Sequence, residues 1–101
     1  MSDKPAINQL QRRELLRVTI LLEAYERQPS ELTFDYLIPK LRNFRGHPTT
    51  DSEIDAAIQY LLDKSYLAMR FHECGATRYY RITATGVDLM ERQHANLIDQ
   101  S

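Results

Sequence analysis

The stretch that decides the fold is residues 50–86, TDSEIDAAIQYLLDKSYLAMRFHECGATRYYRITATG. Thr50 followed three residues later by Glu53 is a capping box, in which a hydroxyl and a carboxylate satisfy backbone N–H groups at a helix start. Apolar residues then recur at helical spacing and predict a helix over 51–65 with one buried face. The residues of that face are Ile54, Ala57, Ile58, Leu61 and Leu62.

After this helix the hydrophobic period changes from helical to alternating. In the segments LAMRF and RYYRI, apolar residues alternate with polar or small ones, which is typical of half-buried strands. We therefore predict a hairpin over 67–82. Matching the apolar faces of the two strands places Phe71 opposite Tyr80 and Met69 opposite Ile82.

The remaining elements follow from capping residues and helical spacing. Thr83 can cap a final helix over 84–99, and a long first helix over 7–27 is apolar on two faces. A short strand at 31–33 and a helix over 34–43 lie between the first helix and the capping box. The prediction is one mainly α domain with a small antiparallel hairpin (α+β), in the order helix, short strand, helix, helix, hairpin, helix. This is the order of a winged helix-turn-helix.

The segments AIQYLLDKSYL at 57–67 and RYYRITATG at 78–86 resemble the recognition helix and wing of small regulators of the PadR and MarR families. In those families an apolar helix ends in a Lys–Gly–aliphatic turn, and the wing returns through a Tyr-x-Leu-Thr-x-x-Gly segment. Ser65 stands where those families carry the turn glycine. The resemblance implies a winged-helix fold and a DNA-binding transcriptional regulator.

Composition and charge bound the functions that the chain can have. At 101 residues, 43% hydrophobic and 27% charged, it is expected to form a single globular domain. Its apolar runs are too short for a membrane span, its N-terminus lacks a signal-peptide pattern, and Cys74 is its one cysteine. We therefore expect a cytoplasmic protein without an intrachain disulfide. The formal net charge of −1 is unusual for a nucleic-acid binder, because such proteins are usually basic.

Catalytic and metal-binding patterns are absent from the sequence. His47, His72 and His94 lie on separate predicted elements, and no spacing of His, Cys and carboxylates matches a metal site. The three glycines are isolated, so no phosphate-binding loop is predicted. We expect neither an enzyme nor a cofactor.

The helix over 51–65 carries the candidate recognition surface. In the families it resembles, this helix enters the major groove, and Gln59 has the amide that suits adenine. The candidate residues are Ser52, Glu53, Ala56, Gln59 and Tyr60. Four acids on the same helix would, however, oppose docking on a polyanion. The alternative is a protein-interaction module, such as an accessory protein of a phage or mobile element, whose acidic helix binds a basic partner.

The predicted wing and the loop before the recognition helix carry basic residues with an aromatic between them. Such a strip suits phosphates or a minor groove. Its members are Arg42, Arg45, His47, Arg70, His72, Arg78, Tyr79 and Arg81. As a group they favour double-stranded DNA as a partner, although exposed strands also carry arginines as protection against edge pairing.

The second apolar face of the first helix predicts a homodimer. A lone domain would expose this face, and large exposed apolar patches mark interfaces. The final helix has a similar surplus. We expect the interface at Leu16, Ile20, Leu89 and Ile98. The function expected from these observations is that of a homodimeric DNA-binding repressor.

Overall fold

A computed structural model of the chain describes residues 5–46, 48–72 and 74–100, without side chains at 5–8, 45 and 94–100. The elements in chain order are α1 (Pro5–Glu26), β1 (Leu32–Thr33), α2 (Phe34–Leu41), a 3-10 turn (Phe44–Gly46), α3 (Asp51–Asp63), β2 (Leu67–Phe71), β3 (Arg78–Ile82) and α4 (Ala84–Gln100). This order confirms the predicted α+β winged-helix arrangement. None of the helices in these ranges has the length and hydrophobicity of a bilayer-spanning segment.

Threonine side chains cap α2 and α3, because each accepts a backbone N–H that the helix itself leaves unpaired. The Thr33 hydroxyl accepts from the Tyr36 N–H at 3.1 Å. Thr50 accepts from the Glu53 N–H at 3.1 Å, and the Glu53 carboxylate accepts from the Thr50 N–H at 2.9 Å. The capping box predicted from the sequence is therefore confirmed.

The end of α3 is a Schellman turn in which serine takes the position that usually belongs to glycine. The Tyr66 N–H donates to the Leu61 carbonyl and the Ser65 N–H to the Leu62 carbonyl, both at 2.9 Å. Ser65 accordingly has φ of 63°, in the left-handed region. The helix therefore ends two residues before the predicted position 65.

Thr83 joins this turn to the start of α4. Its hydroxyl donates to the Ser65 carbonyl at 2.6 Å and accepts from the Gly86 N–H at 3.1 Å, so it is the cap predicted for the final helix. Its own N–H donates to the Tyr66 carbonyl at 3.0 Å. A Cβ at Gly86 would collide with the Tyr66 carbonyl oxygen and lie 2.7 Å from Cγ1 of Ile82. Only glycine allows this close approach.

The three strands form one antiparallel sheet in the order β1-β3-β2. Phe71 pairs with Arg78 and Met69 pairs with Tyr80, so the predicted hairpin register was wrong by two residues. A shift of two leaves every side chain on its predicted face, so hydrophobic matching cannot detect the error. The loop decides the register, because the His72 N–H donates to the Thr77 carbonyl at 3.1 Å.

The hydrophobic core lies between the sheet and the helices, and each helix from α1 to α3 contributes one stripe to it. Tyr80 and Ile54 are among its largest fully buried side chains. The buried apolar residues are Leu16, Ile20, Leu21, Ala24, Leu32, Leu37, Leu41, Ile54, Ala57, Ile58, Leu61, Leu67, Tyr80 and Ile82.

The expected dimer interface on α1 requires correction. Leu16 and Ile20 are 3% and 0% exposed and belong to the core of the single chain. On the other face of the helix, Leu15, Val18 and Leu22 are exposed, and Leu10 is exposed nearer the helix start. The first helix does have two apolar faces, as predicted, but the face predicted for the interface is the one that forms the core. Of the α4 residues expected at the interface, Leu89 is half-buried against the core and the Ile98 side chain lies outside the described residues.

Replacing Ser65 with glycine is expected to stabilise the fold by about 0.5–1 kcal/mol. The left-handed conformation costs a residue with a Cβ about 1–2 kcal/mol, and the greater chain entropy of unfolded glycine removes part of the gain. Urea unfolding of Ser65→Gly measures the difference. The matched control is Lys64→Gly at the neighbouring right-handed position, φ −84°, which should destabilise the protein. A loss of stability in both variants would contradict the strained-turn interpretation.

Candidate nucleic-acid interface

α3 presents a stripe of small and polar side chains to solvent. Ser52, Ala56 and Gln59 are exposed and lie four and three residues apart, which places them on one face of the helix. Beyond Gln59 the stripe continues to exposed Asp63. The three residues are thus accessible, and their part in base recognition stays a prediction.

The Glu53 side chain is held by α1 and by its own helix start. Arg12 donates to the Glu53 carboxylate at 2.6 Å, to the Thr49 hydroxyl at 2.7 Å and to the Pro48 carbonyl at 3.0 Å. The Thr50 N–H, followed by the Arg12 guanidinium, lowers the pKa of Glu53 below its ordinary value. The contact of Arg12 with Glu53 was not predicted, because contacts between residues 41 positions apart leave no local pattern. In this arrangement Glu53 stabilises the start of α3, and its carboxylate is already hydrogen-bonded to Arg12 and to the Thr50 N–H, which leaves it less available to a base.

Tyr60 is also engaged by α1. The guanidinium carbon of Arg17 lies 3.7 Å from the centre of the Tyr60 ring, and the Lys64 ammonium lies 5.8 Å from it. These are cation–π distances. Tyr60 is half-buried, so its ring serves the α1–α3 contact instead of extending the exposed stripe.

Four of the predicted wing residues share the side of the sheet that faces away from the core. We call them the outer wing face: Arg70, His72, Tyr79 and Arg81. Arg70 pairs with Tyr79 across the hairpin, and its guanidinium carbon lies 4.7 Å from the centre of the tyrosine ring. The rings of His72 and Tyr79 have centroids 6.2 Å apart. The basic strip with a central aromatic therefore exists as a contact cluster.

Glu31 neutralises part of the outer wing face. Both Nε and Nη2 of Arg70 donate to the Glu31 carboxylate, at 2.7 and 2.6 Å. This bidentate bond is the main cause that lowers the pKa of Glu31, and it raises the pKa of Arg70. The contact of Glu31 with Arg70 was not predicted, because the position of Glu31 depends on the register of β1 with β3. Arg81 forms no ion pair with any side chain that the structure describes.

The opposite side of the sheet borders an open groove of about 660 Å³ between the starts of α2 and α3 and the wing. We call it the α2–α3–wing groove. Its polar lining includes Asp35, Asp51 and Asp55, and Phe34 and Tyr80 are its aromatic residues. Arg78 lines this groove as well, since it alternates with Tyr79 along β3. The wing arginines are therefore divided between two surfaces.

The loop before α3 contributes less to the described surface than was predicted. The Arg42 side chain is exposed, whereas the Arg45 side chain and the whole of His47 lie outside the described residues. Within the ranges that the structure covers, no three His, Cys, Asp or Glu side chains converge on a point that could hold a metal ion.

A capped third helix followed by an antiparallel wing, both packed on a long first helix, defines a winged-helix domain. A similar solved structure is that of a mutant of MepR from a multidrug resistant S. aureus clinical isolate, with a TM-score of 0.58. The alignment covers 97% of this chain and 74% of that chain at 15% identity, which shows a shared fold. No protein-family profile and no curated protein sequence matches the chain.

Replacing the Glu53 carboxylate by an uncharged group should lower the free energy of unfolding, and the size of this loss should depend on pH. Because folding lowers the Glu53 pKa, its ionised carboxylate stabilises the protein fully above the unfolded pKa of about 4.5 and loses this effect as the pH falls through the folded value. Glu53→Gln can keep the capping bond while it removes the charge. We expect the variant to be less stable at neutral pH and the difference from wild type to shrink below pH 4.5 or so.

Urea unfolding between about pH 7 and pH 3 measures this difference. Glu14→Gln is the control, since it removes the same charge from an exposed position of α1. A constant offset between wild type and Glu53→Gln across this range would show that the carboxylate charge contributes nothing.

Proposed function

We propose that the chain is a small DNA-binding transcriptional regulator that acts in the cytoplasm as a homodimeric repressor. The observation that carries this proposal is the exposed stripe of Ser52, Ala56 and Gln59 on α3 beside a wing with basic residues. The winged-helix fold that it shares with MepR supports the same function. In this proposal α3 enters the major groove, and bound dimers exclude polymerase from an operator.

Phosphate contacts in this proposal come from Arg81 on the outer wing face, Arg78 beside the groove and Arg42 at the end of α2. All three are exposed, and none has an ion pair with a described residue. Arg70 contributes less, because Glu31 already compensates its charge. Two or three phosphate contacts in each subunit, and therefore four to six in the dimer, predict a slope of log affinity against log salt of about −4 to −5.

Arg81→Ala should lower the affinity for duplex DNA of any sequence and make the salt slope shallower by about 1.8, the value of two phosphate contacts, one from each subunit. Fluorescence anisotropy with a random duplex of about two helical turns, titrated at several salt concentrations, measures both quantities. Arg92→Ala is the matched control, since it removes an exposed arginine from α4. Equal losses in the two variants would remove the wing from the DNA interface, and a flat slope for wild type would reject DNA binding.

The homodimer of this proposal uses the exposed face of α1. Leu15, Val18 and Leu22 are 39%, 43% and 39% exposed and follow each other at helical spacing. They form one apolar stripe that is partly exposed in the single chain. In this proposal the two-fold axis passes through this stripe and relates two recognition helices that contact half-sites about 34 Å apart.

Val18→Glu should convert the dimer to a monomer, because a charge buried at the two-fold axis would face its own copy without a partner. Analytical ultracentrifugation at micromolar concentration measures the mass. Gln11→Glu, at an exposed polar position of the same helix, should leave the dimer intact. A monomeric wild type would contradict the dimer, and a dimeric Val18→Glu would place its interface elsewhere.

The second candidate function is a protein-interaction module with a basic partner. The observation that favours it is the acidic lining of the α2–α3–wing groove, where three carboxylates face a single arginine. Duplex DNA bound at this groove would place its negatively charged phosphates near these carboxylates, which would repel them.

A further inference from the structure

The α2–α3–wing groove contains three carboxylates that have no partner among the described residues. Asp35, Asp51 and Asp55 form neither an ion pair nor a side-chain hydrogen bond with any residue in the described ranges. Arg78 lines the same groove without reaching any of them at ion-pair distance. The volume of about 660 Å³ lies within the range of clefts that bind ligands.

Helix dipoles account for only part of this acidity. Asp35 and Asp51 lie in the first turns of α2 and α3, where acids are stabilised by the positive helix end. Asp55 lies in the second turn, beyond the reach of that effect, and is half-buried. Two helix ends of roughly half a charge each, together with Arg78, leave the groove with a net charge of about −1. The groove therefore attracts cations.

Tyr80 contributes a polar group of a different kind to the groove. The residue is 1% exposed and lines the groove, yet its hydroxyl forms no hydrogen bond with the described residues. Buried tyrosine hydroxyls usually have a partner. The hydroxyl oxygen itself is not fully enclosed, so it can be reached from the groove.

We propose that the α2–α3–wing groove binds an arginine side chain of a partner protein. The guanidinium would pair with Asp55, donate to the Tyr80 hydroxyl and lie against the Phe34 ring. A planar group with five donors and a cation–π surface suits this combination better than an ammonium does. The carboxylates do not converge as metal ligands do, and Asp35 and Asp51 extend the negative surface to neighbouring basic residues of the partner. The inference does not depend on DNA binding, and it specifies a site for the second candidate function.

Peptide binding to the full chain tests the proposal. The probe is a blocked, fluorescein-labelled peptide of alternating arginine and glycine, compared with lysine–glycine and glutamate–glycine peptides of equal length. We expect the arginine peptide to bind most tightly and the glutamate peptide not to bind. Asp55→Asn should weaken the arginine peptide by about tenfold or more, as loss of one charged hydrogen bond predicts. Tyr80→Phe, which keeps the buried ring, should weaken it several-fold.

Asp88→Asn is the matched control, since it neutralises an exposed acid on α4 and should leave peptide binding unchanged. The proposal would be overturned if the arginine and lysine peptides bound with equal affinity, or if Asp55→Asn and Asp88→Asn lost equal affinity. Either result would show that peptide binding is diffuse charge attraction. Random duplex DNA forms the second arm. Loss of DNA affinity in Asp55→Asn would overturn the proposal by assigning the groove to nucleic acid. A flat salt slope for DNA with intact peptide selectivity would reject only the regulator function.

Discussion

The hydroxyl of Thr83 sets the position of α3 relative to the wing. It donates to the Ser65 carbonyl in the α3 end turn and accepts from the Gly86 N–H in the first turn of α4, while the N–H of the same residue donates to the Tyr66 carbonyl. Three elements thus meet at one side chain, and Gly86 lets them approach without a Cβ between them. The exposed stripe of α3 and both wing surfaces take their relative positions from this junction.

α1 determines which part of α3 remains available for partners. Arg12 holds the start of α3 through Glu53, and Arg17 covers Tyr60 two turns further along. Both contacts place a cation of α1 on a group that could otherwise have faced a ligand. The available surface is therefore narrow. Ser52, Ala56 and Gln59 form its neutral stripe, and Ser52 also lines the groove beside Asp51 and Asp55. The surface proposed for base edges and the surface proposed for basic protein segments therefore meet at Ser52.

The parts of the fold that depend on local chemistry could be predicted from the sequence. The Thr50–Glu53 capping box, the Thr83 cap and the strain at Ser65 each involve residues close in the chain, so their patterns are visible in one window. The hairpin register, the buried face of α1 and the partners of Glu53 and Arg70 were missed. Each is decided between distant segments, where two arrangements satisfy the same hydrophobic pattern. The exposure of Gln59 was predictable, because it follows from the buried stripe of its own helix.

The Glu31–Arg70 bond also has a mechanical consequence. Arg70 on the edge strand β2 donates to Glu31, the residue before the other edge strand, β1. Its guanidinium lies above the Tyr79 ring of the central strand, β3. This bond connects the two edges of the sheet. Glu31 lies two residues before Thr33, the cap of α2. Together with the β1–β3 pairing, this bond connects the wing to the start of α2, so a partner bound at the wing contacts a sheet that continues directly into α2.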